Sequence, residues 1–248
     1  MLPLIMMWKN TRMIVLVAVT AAIYATAEVV FSSVSPVIIP GVVEFKVSDL
    51  LTMLLGILFG PAGAWGVAIG NVFGDTFTGN LAVGSIFGFL STLAVAYIGY
   101  TMWRQLGDDE VGYGRPAPRA VVTYLAIGVV AAVLSALILA WGLDLLGIAP
   151  FKIISDALVG NFIFGNWLGA IIFFLVYPRF QKMNLTWTSI MAADADTLKP
   201  INFPAGAVLV TAASLAGWIL GAFILPLGSI VPVTAIFFLL ALGGCALL

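Results

Sequence analysis

The chain has 248 residues, 62% of them hydrophobic and 8% charged, with a net charge of −1, no histidine and a mean hydropathy of +1.18. A water-soluble fold of this size is nearer half apolar and one quarter charged, so most of this chain must be solvated by lipid. The same figures exclude a basic nucleic-acid surface, a His-based metal site, a His proton relay and a Ser-His-Asp triad, and the lone Cys245 has no partner for an intramolecular disulfide.

In lipid the backbone must satisfy its own hydrogen bonds, which leaves helices or a closed barrel. The apolar runs are long and lack a ten-residue in/out alternation, so helices are expected. The first span, about 12–33, follows Lys9 and Arg12. It is too long for a signal-peptide core and ends at no clean cleavage site, so it reads as retained. The loop "SSVSPVIIPGVVEFK" follows, and then two short spans, about 47–60 and 62–77, separated at "FGPAG". A fourth span covers about 81–103, and a polar loop runs from Arg104 to Arg119. The fifth covers about 120–146, and "GIAPFK" links it to a sixth at about 153–178. A second polar loop, Arg179 to about Asn202, precedes two uncharged spans at about 204–225 and 229–248.

Eight spans put both termini on one side of the membrane. With that side cytoplasmic, Lys9, Arg12, Arg104, Arg115, Arg119, Arg179, Lys182 and Lys199 fall inside, and only Lys46 and Lys152 fall outside. This is the bias of the positive-inside rule, and it leaves the two outer lysines in need of another reason.

Both lysines sit in similar surroundings, "VEFKVSDLLTMLLG" at 43–56 and "PFKIISDALVG" at 150–160. The outer face collects Glu44, Lys46, Asp49, Asn71, Asp75, Asn80, Asp144, Lys152, Asp156 and Asn161. "GNVFGDTFTGN" (70–80) and "VGNFIFGNWLG" (159–169) echo one another and suggest two similar half-sites. An ionisable side chain near membrane depth points to a functional site, and a buried amide needs a partner. Plainer readings stand beside this one. The lysines can snorkel to head groups, Ser48/Asp49 and Ser155/Asp156 can cap helix N-termini, and Asp75 can be an internal ion partner of Lys46. Gly60, Gly63, Gly66, Gly70 and Gly74 form a smooth stripe suited to close helix packing. Trp65, Phe73, Phe77, Phe164 and Trp167 are placed near the outer pocket, either to stack on a flat ligand or to anchor at the interface.

The first span reads "VAVTAAIYATAEVV", with Ala18 and Ala22, and Ala21 and Ala25, four residues apart on a helix. Together with "VEFKVSDLLTMLLGILFGPAGAWGVAIGNVFGD" it resembles the substrate-binding (S) components of energy-coupling factor (ECF) transporters, and among them the queuosine-precursor type. The resemblance covers about residues 11–180. It implies a six-helix bundle, here followed by a loop at 181–203 and an added two-helix hairpin at 204–248. It also implies that Ala18, Ala21, Ala22 and Ala25 dock on a transmembrane coupling subunit that works with two ABC-type ATPases. The loop 34–46 would close over an outward-facing pocket.

The expected protein is therefore an all-α integral protein of the cell membrane, multi-pass, with both termini cytoplasmic. It would bind a small vitamin or cofactor precursor through Glu44, Lys46, Asp49, Asn71, Asp75, Asn80, Lys152, Asp156 and Asn161. No P-loop motif is present, so any ATP hydrolysis belongs to a partner. The chain is read as a non-enzyme with no cofactor and no metal. The rival readings are a gradient-driven secondary transporter and a ligand-free membrane scaffold.

Overall fold

The computed structural model describes residues 2–39, 43–107, 116–191 and 200–248. Two basic residues assigned inside, Arg115 and Lys199, and part of the loop expected to form a lid lie outside the described residues. The protein is an all-α membrane protein with a short antiparallel ribbon, β1 (Val37–Ile39) and β2 (Val43–Glu44), in the first loop.

A short helix, α1 (Leu2–Met6), leads to α2 (Thr11–Phe31), whose N-terminus is capped by the side chain of Asn10. There follow α3 (Asp49–Thr78), α4 (Ser85–Leu106), α5 (Pro118–Leu145), α6 (Phe151–Lys182), the single turn α7 (Trp187–Ile190), α8 (Phe203–Ile219) and α9 (Ile230–Leu247). A π-helical turn, Leu220–Ile224, extends α8. Among the described residues, seven helices are long and apolar enough to cross a bilayer.

The two short spans read at 47–60 and 62–77 are one helical element that reverses at Gly60, where φ is 56° and ψ is −127°. That conformation costs glycine little and any other residue more, and Pro61 then starts a helix with its φ already fixed. The arms 49–59 and 61–78 fold back on one another. A side chain at Gly63 would collide with the Leu55 carbonyl. Gly66, Gly70 and Gly74 let the second arm lie against Thr20, Ala21, Tyr24 and Glu28 of α2. The stripe therefore serves close packing with two neighbours, and α3 is the centre of the bundle. The first arm, eleven residues, reaches only about 16 Å at the helical rise, so Asp49 is recessed beside Asn71.

The reversal brings one end of the bundle together. The Trp187 ring covers Gly60, Phe59 packs on Phe180, and the Trp65 indole donates to the Leu4 carbonyl at 2.9 Å. Arg104 lies over the Trp187 ring, 5.4 Å from its centre. Lys9, Arg12, Arg104, Arg119, Arg179 and Lys182 all belong to this end, while Lys46 and Lys152 belong to the other.

The core is aromatic where α4, α5 and α6 meet, with Trp103, Tyr124 and Phe173 in mutual contact and Tyr177 packed on Trp103 and Phe173. The α8–α9 hairpin packs on the same helices. Tyr97 donates to the Cys245 carbonyl at 2.6 Å, Trp141 to the Val231 carbonyl at 3.2 Å and Trp218 to Asp156 at 3.0 Å. Cys245 is buried there as a small hydrophobe.

Candidate functional site

The site is built at the end of the bundle away from the Gly60 reversal. On α2, Tyr24 and Glu28 are four residues apart and so share a face. Asn71 and Asp75 stand in the same relation on the second arm of α3. The turn before the first arm, closed by the Asp49 N–H donating to the Lys46 carbonyl at 2.9 Å, throws Lys46 back between these pairs.

The Lys46 ammonium donates to Glu28 Oε1 at 2.5 Å, Asp75 Oδ1 at 2.7 Å and Asn71 Oδ1 at 3.2 Å. An ammonium has three N–H donors, and each has a partner. Burial alone would pull the pKa of Lys46 down; the carboxylates of Glu28 and Asp75 outweigh that and hold it above the ordinary lysine range. Lys46 therefore keeps its charge throughout the physiological pH range. Gly74 leaves the space that the Glu28 carboxylate fills. Beside this cluster, Asp49 is only 6% exposed and accepts from the Tyr24 hydroxyl at 3.1 Å. Gly165 of α6 lets that helix approach Asp49 closely.

These groups form one wall of a cavity of about 290 Å³. Its polar lining includes Glu44, Lys46, Asp49, Asn71, Asp75, Asn80 and Asn161. Gly84, Ser85, Gly88, Ser91 and Thr92 of the α4 region form the next side, and Leu139, Leu143, Ile148, Leu158 and Phe162 supply the apolar part. Below the lining, the hydroxyls of Ser91 and Ser135 bond to each other and join α4 to α5. Asn161 is buried, and its Oδ1 has no donor among the described residues. A mostly apolar cleft with a few converging polar groups is the usual form of a small-molecule site, and this one is at the small end of the range.

Seven of the nine residues expected to bind ligand thus line one cavity, and two do not. Lys152 and Asp156 lie outside the lining; Asp156 is exposed and accepts from Trp218. The echo between the two charged stretches is not a repeated site. α6 begins at Phe151, so Lys152, Ser155 and Asp156 are already helical and cap nothing, and Ser48 makes no capping bond with its side chain. The five aromatics expected near the pocket are elsewhere. Trp65 is at the opposite end, Phe73 and Phe77 are exposed on the outer side of α3, Phe164 packs on Phe45, and Trp167 donates to the Leu125 carbonyl. The ring in the cavity wall is Phe162. Sequence reasoning also missed Glu28 and Tyr24. A carboxylate inside a 21-residue apolar helix was the available signal.

A second feature follows α2. Ala18 and Ala22 are exposed, whereas Ala21 and Ala25 are buried. All four line an apolar groove between α2 and the second arm of α3, closed on its far side by Ile69, Phe73 and Phe77.

Residues 14–178 match the family model described as QueT transporter. No curated protein and no solved structure matches the chain.

Proposed function

The chain belongs to the QueT transporter family, an ECF S-component family for queuosine precursors, and we propose that it is the membrane subunit that captures such a precursor in the cavity around Asp49, Asn71, Asp75 and Asn161. The observation that carries this reading is Asn161 Oδ1, a buried acceptor on the cavity wall that no group among the described residues satisfies. A buried polar atom in that state calls for a donor from outside the protein. Queuosine precursors are deazapurines, flat bases rimmed with N–H donors, and a cavity of about 290 Å³ suits a molecule of that size.

Uptake needs an energy source. The chain has no P-loop, so the reading assigns ATP hydrolysis to two ABC-type ATPases acting through a transmembrane coupling subunit. The groove on α2 supports this: small residues at Ala18 and Ala22 on an exposed apolar face let a second membrane helix come close. The cationic end of the bundle supports a cytoplasmic placement of both termini in the cell membrane, with the cavity opening outside.

Calorimetric titration of the purified chain with a queuosine precursor tests the site. Asn161→Leu keeps the volume and removes the acceptor, and it should weaken binding by about tenfold or more, the cost of leaving one buried hydrogen bond unmade. Undiminished affinity in a folded Asn161→Leu variant would take this residue, and the observation resting on it, out of the account.

A further inference from the structure

The basic end of the bundle has an opening of its own. A cleft of about 480 Å³ lies between the start of α2 and the end of α7. Its polar lining is Lys9, Asn10, Thr11 and Arg12, and Met6 and Met191 are among its apolar walls. Lys9 and Arg12 are exposed, and neither pairs with a carboxylate among the described residues. The six described acids, Glu28, Glu44, Asp49, Asp75, Asp144 and Asp156, all stand toward the other end, and the other five of the chain's eleven lie outside the described residues. Asn10 Oδ1 accepts from the N–H groups of Arg12 and Met13 at 3.0 and 3.4 Å, so the helix end is capped from within. An anion in the cleft would therefore be held by side chains. Two full cations, the Asn10 amide nitrogen and the Thr11 hydroxyl are the donors available for it.

The depth of the cleft is set by its neighbours. The Trp65 indole holds the Leu4 carbonyl at 2.9 Å, Met7 is wholly buried, and Trp8 meets Trp65 edge-on at 5.7 Å. These contacts pin α1 and the turn after it across the end of the bundle. Ile5 and Trp8 of that segment are 71% and 42% exposed. An exposed apolar residue and an outward indole beside basic residues mark a segment lying at the membrane–water interface. The exposed apolar surface of α2 begins at Ile14 and Val15, two residues past Arg12. Lys9 and Arg12 thus stand where the apolar surface starts, at the level of lipid head groups.

We propose that this cleft is a phosphate site for the head group of an anionic phospholipid, held by Lys9 and Arg12. It is separate from the ligand cavity at the other end. Basic pockets between membrane helices take anionic head groups in this way. The planar guanidinium of Arg12 matches two phosphate oxygens, the Lys9 ammonium adds a mobile point charge, and such charge-assisted bonds are the stronger ones. A zwitterionic lipid brings its own cation to the same place and gains less.

The test is native mass spectrometry of the full chain in detergent, titrated with phosphatidylglycerol or with phosphatidylcholine. The wild type should retain phosphatidylglycerol in preference to phosphatidylcholine. The double change Lys9→Gln, Arg12→Gln should weaken the retained phosphatidylglycerol by about thirtyfold, about fivefold for each charge lost near the surface, and multiplied over the two. Both side chains are exposed, so this variant should unfold at the wild-type temperature. Arg119→Gln with Arg179→Gln removes the same charge from the same end at exposed positions outside the cleft, and it should leave retention unchanged. An equal loss in that control would overturn the cleft, because the attraction would then be spread over the whole basic end. Equal retention of the two lipids by the wild type, or undiminished retention by the folded Lys9 and Arg12 variant, would overturn the site. Displacement of the lipid by inorganic phosphate alone would keep the phosphate site and overturn the lipid as its source.

Discussion

Lys46→Met is expected to lower the stability of the protein by about 3–5 kcal/mol and to abolish ligand binding. Among the described residues, the ammonium is the only group that neutralises Glu28 and Asp75, whose side chains are 4% and 9% exposed. Methionine fills a similar volume and leaves two carboxylates and the Asn71 carbonyl without a donor. Breaking a buried pair from one side is far more damaging than replacing all of it, because a stranded charge is worse than no charge. The triple change Lys46→Met, Glu28→Gln, Asp75→Asn should therefore recover most of the lost stability without restoring binding. Thermal unfolding in detergent, followed by a titration, separates the two effects. Wild-type stability for Lys46→Met would show that the cluster does not join α2, α3 and the first loop.

Ala18→Trp and Ala22→Trp should reduce cellular uptake to background while the purified variants bind ligand as the wild type does. Both alanines point out of the bundle into the groove, so an indole there obstructs an approaching helix and touches nothing inside. Ala21→Trp and Ala25→Trp form the internal control. These residues are 6% and 8% exposed and pack toward α3, so a large ring there should destabilise the fold outright. Uptake measured in cells that carry the complete transporter, beside a binding titration, reads both results. Normal uptake by Ala18→Trp and Ala22→Trp would remove this face from coupling. Loss of binding would mean that the face acts within the chain.

Much of this fold is legible in the sequence because the bilayer imposes it. Long apolar runs have to be helices, and the runs read at 81–103, 120–146 and 153–178 correspond to α4, α5 and α6 with their ends displaced by a few residues. The "GP" at 60–61 marks a break, and the structure shows why the two pieces are so short: they are arms of one reversal, buried in the bundle and not required to face lipid over a full span.

The site was legible where charge and position agree. Glu44, Lys46, Asp49, Asn71, Asp75 and Asn80 lie on the arms of α3 or within a few residues of them, and folding the arms together brings them to one place. The echo at 150–160 misleads because identical letters meet different backbones. Lys46 lies in a turn ahead of its helix and can fold back, while Lys152 lies one residue inside α6 and is held to the helix surface. Glu28 was overlooked because it stands alone in an apolar run, with nothing nearby in sequence to mark it. Its partner is 18 residues away and meets it only through the loop.

The most direct test of the central claim is mass spectrometry of the small molecules released from gently purified, folded protein. The account predicts one deazapurine, close to one per chain, present in the wild type and absent from Lys46→Met. Folded protein that repeatedly releases no base, and that takes up none when queuosine precursors are supplied, would contradict it.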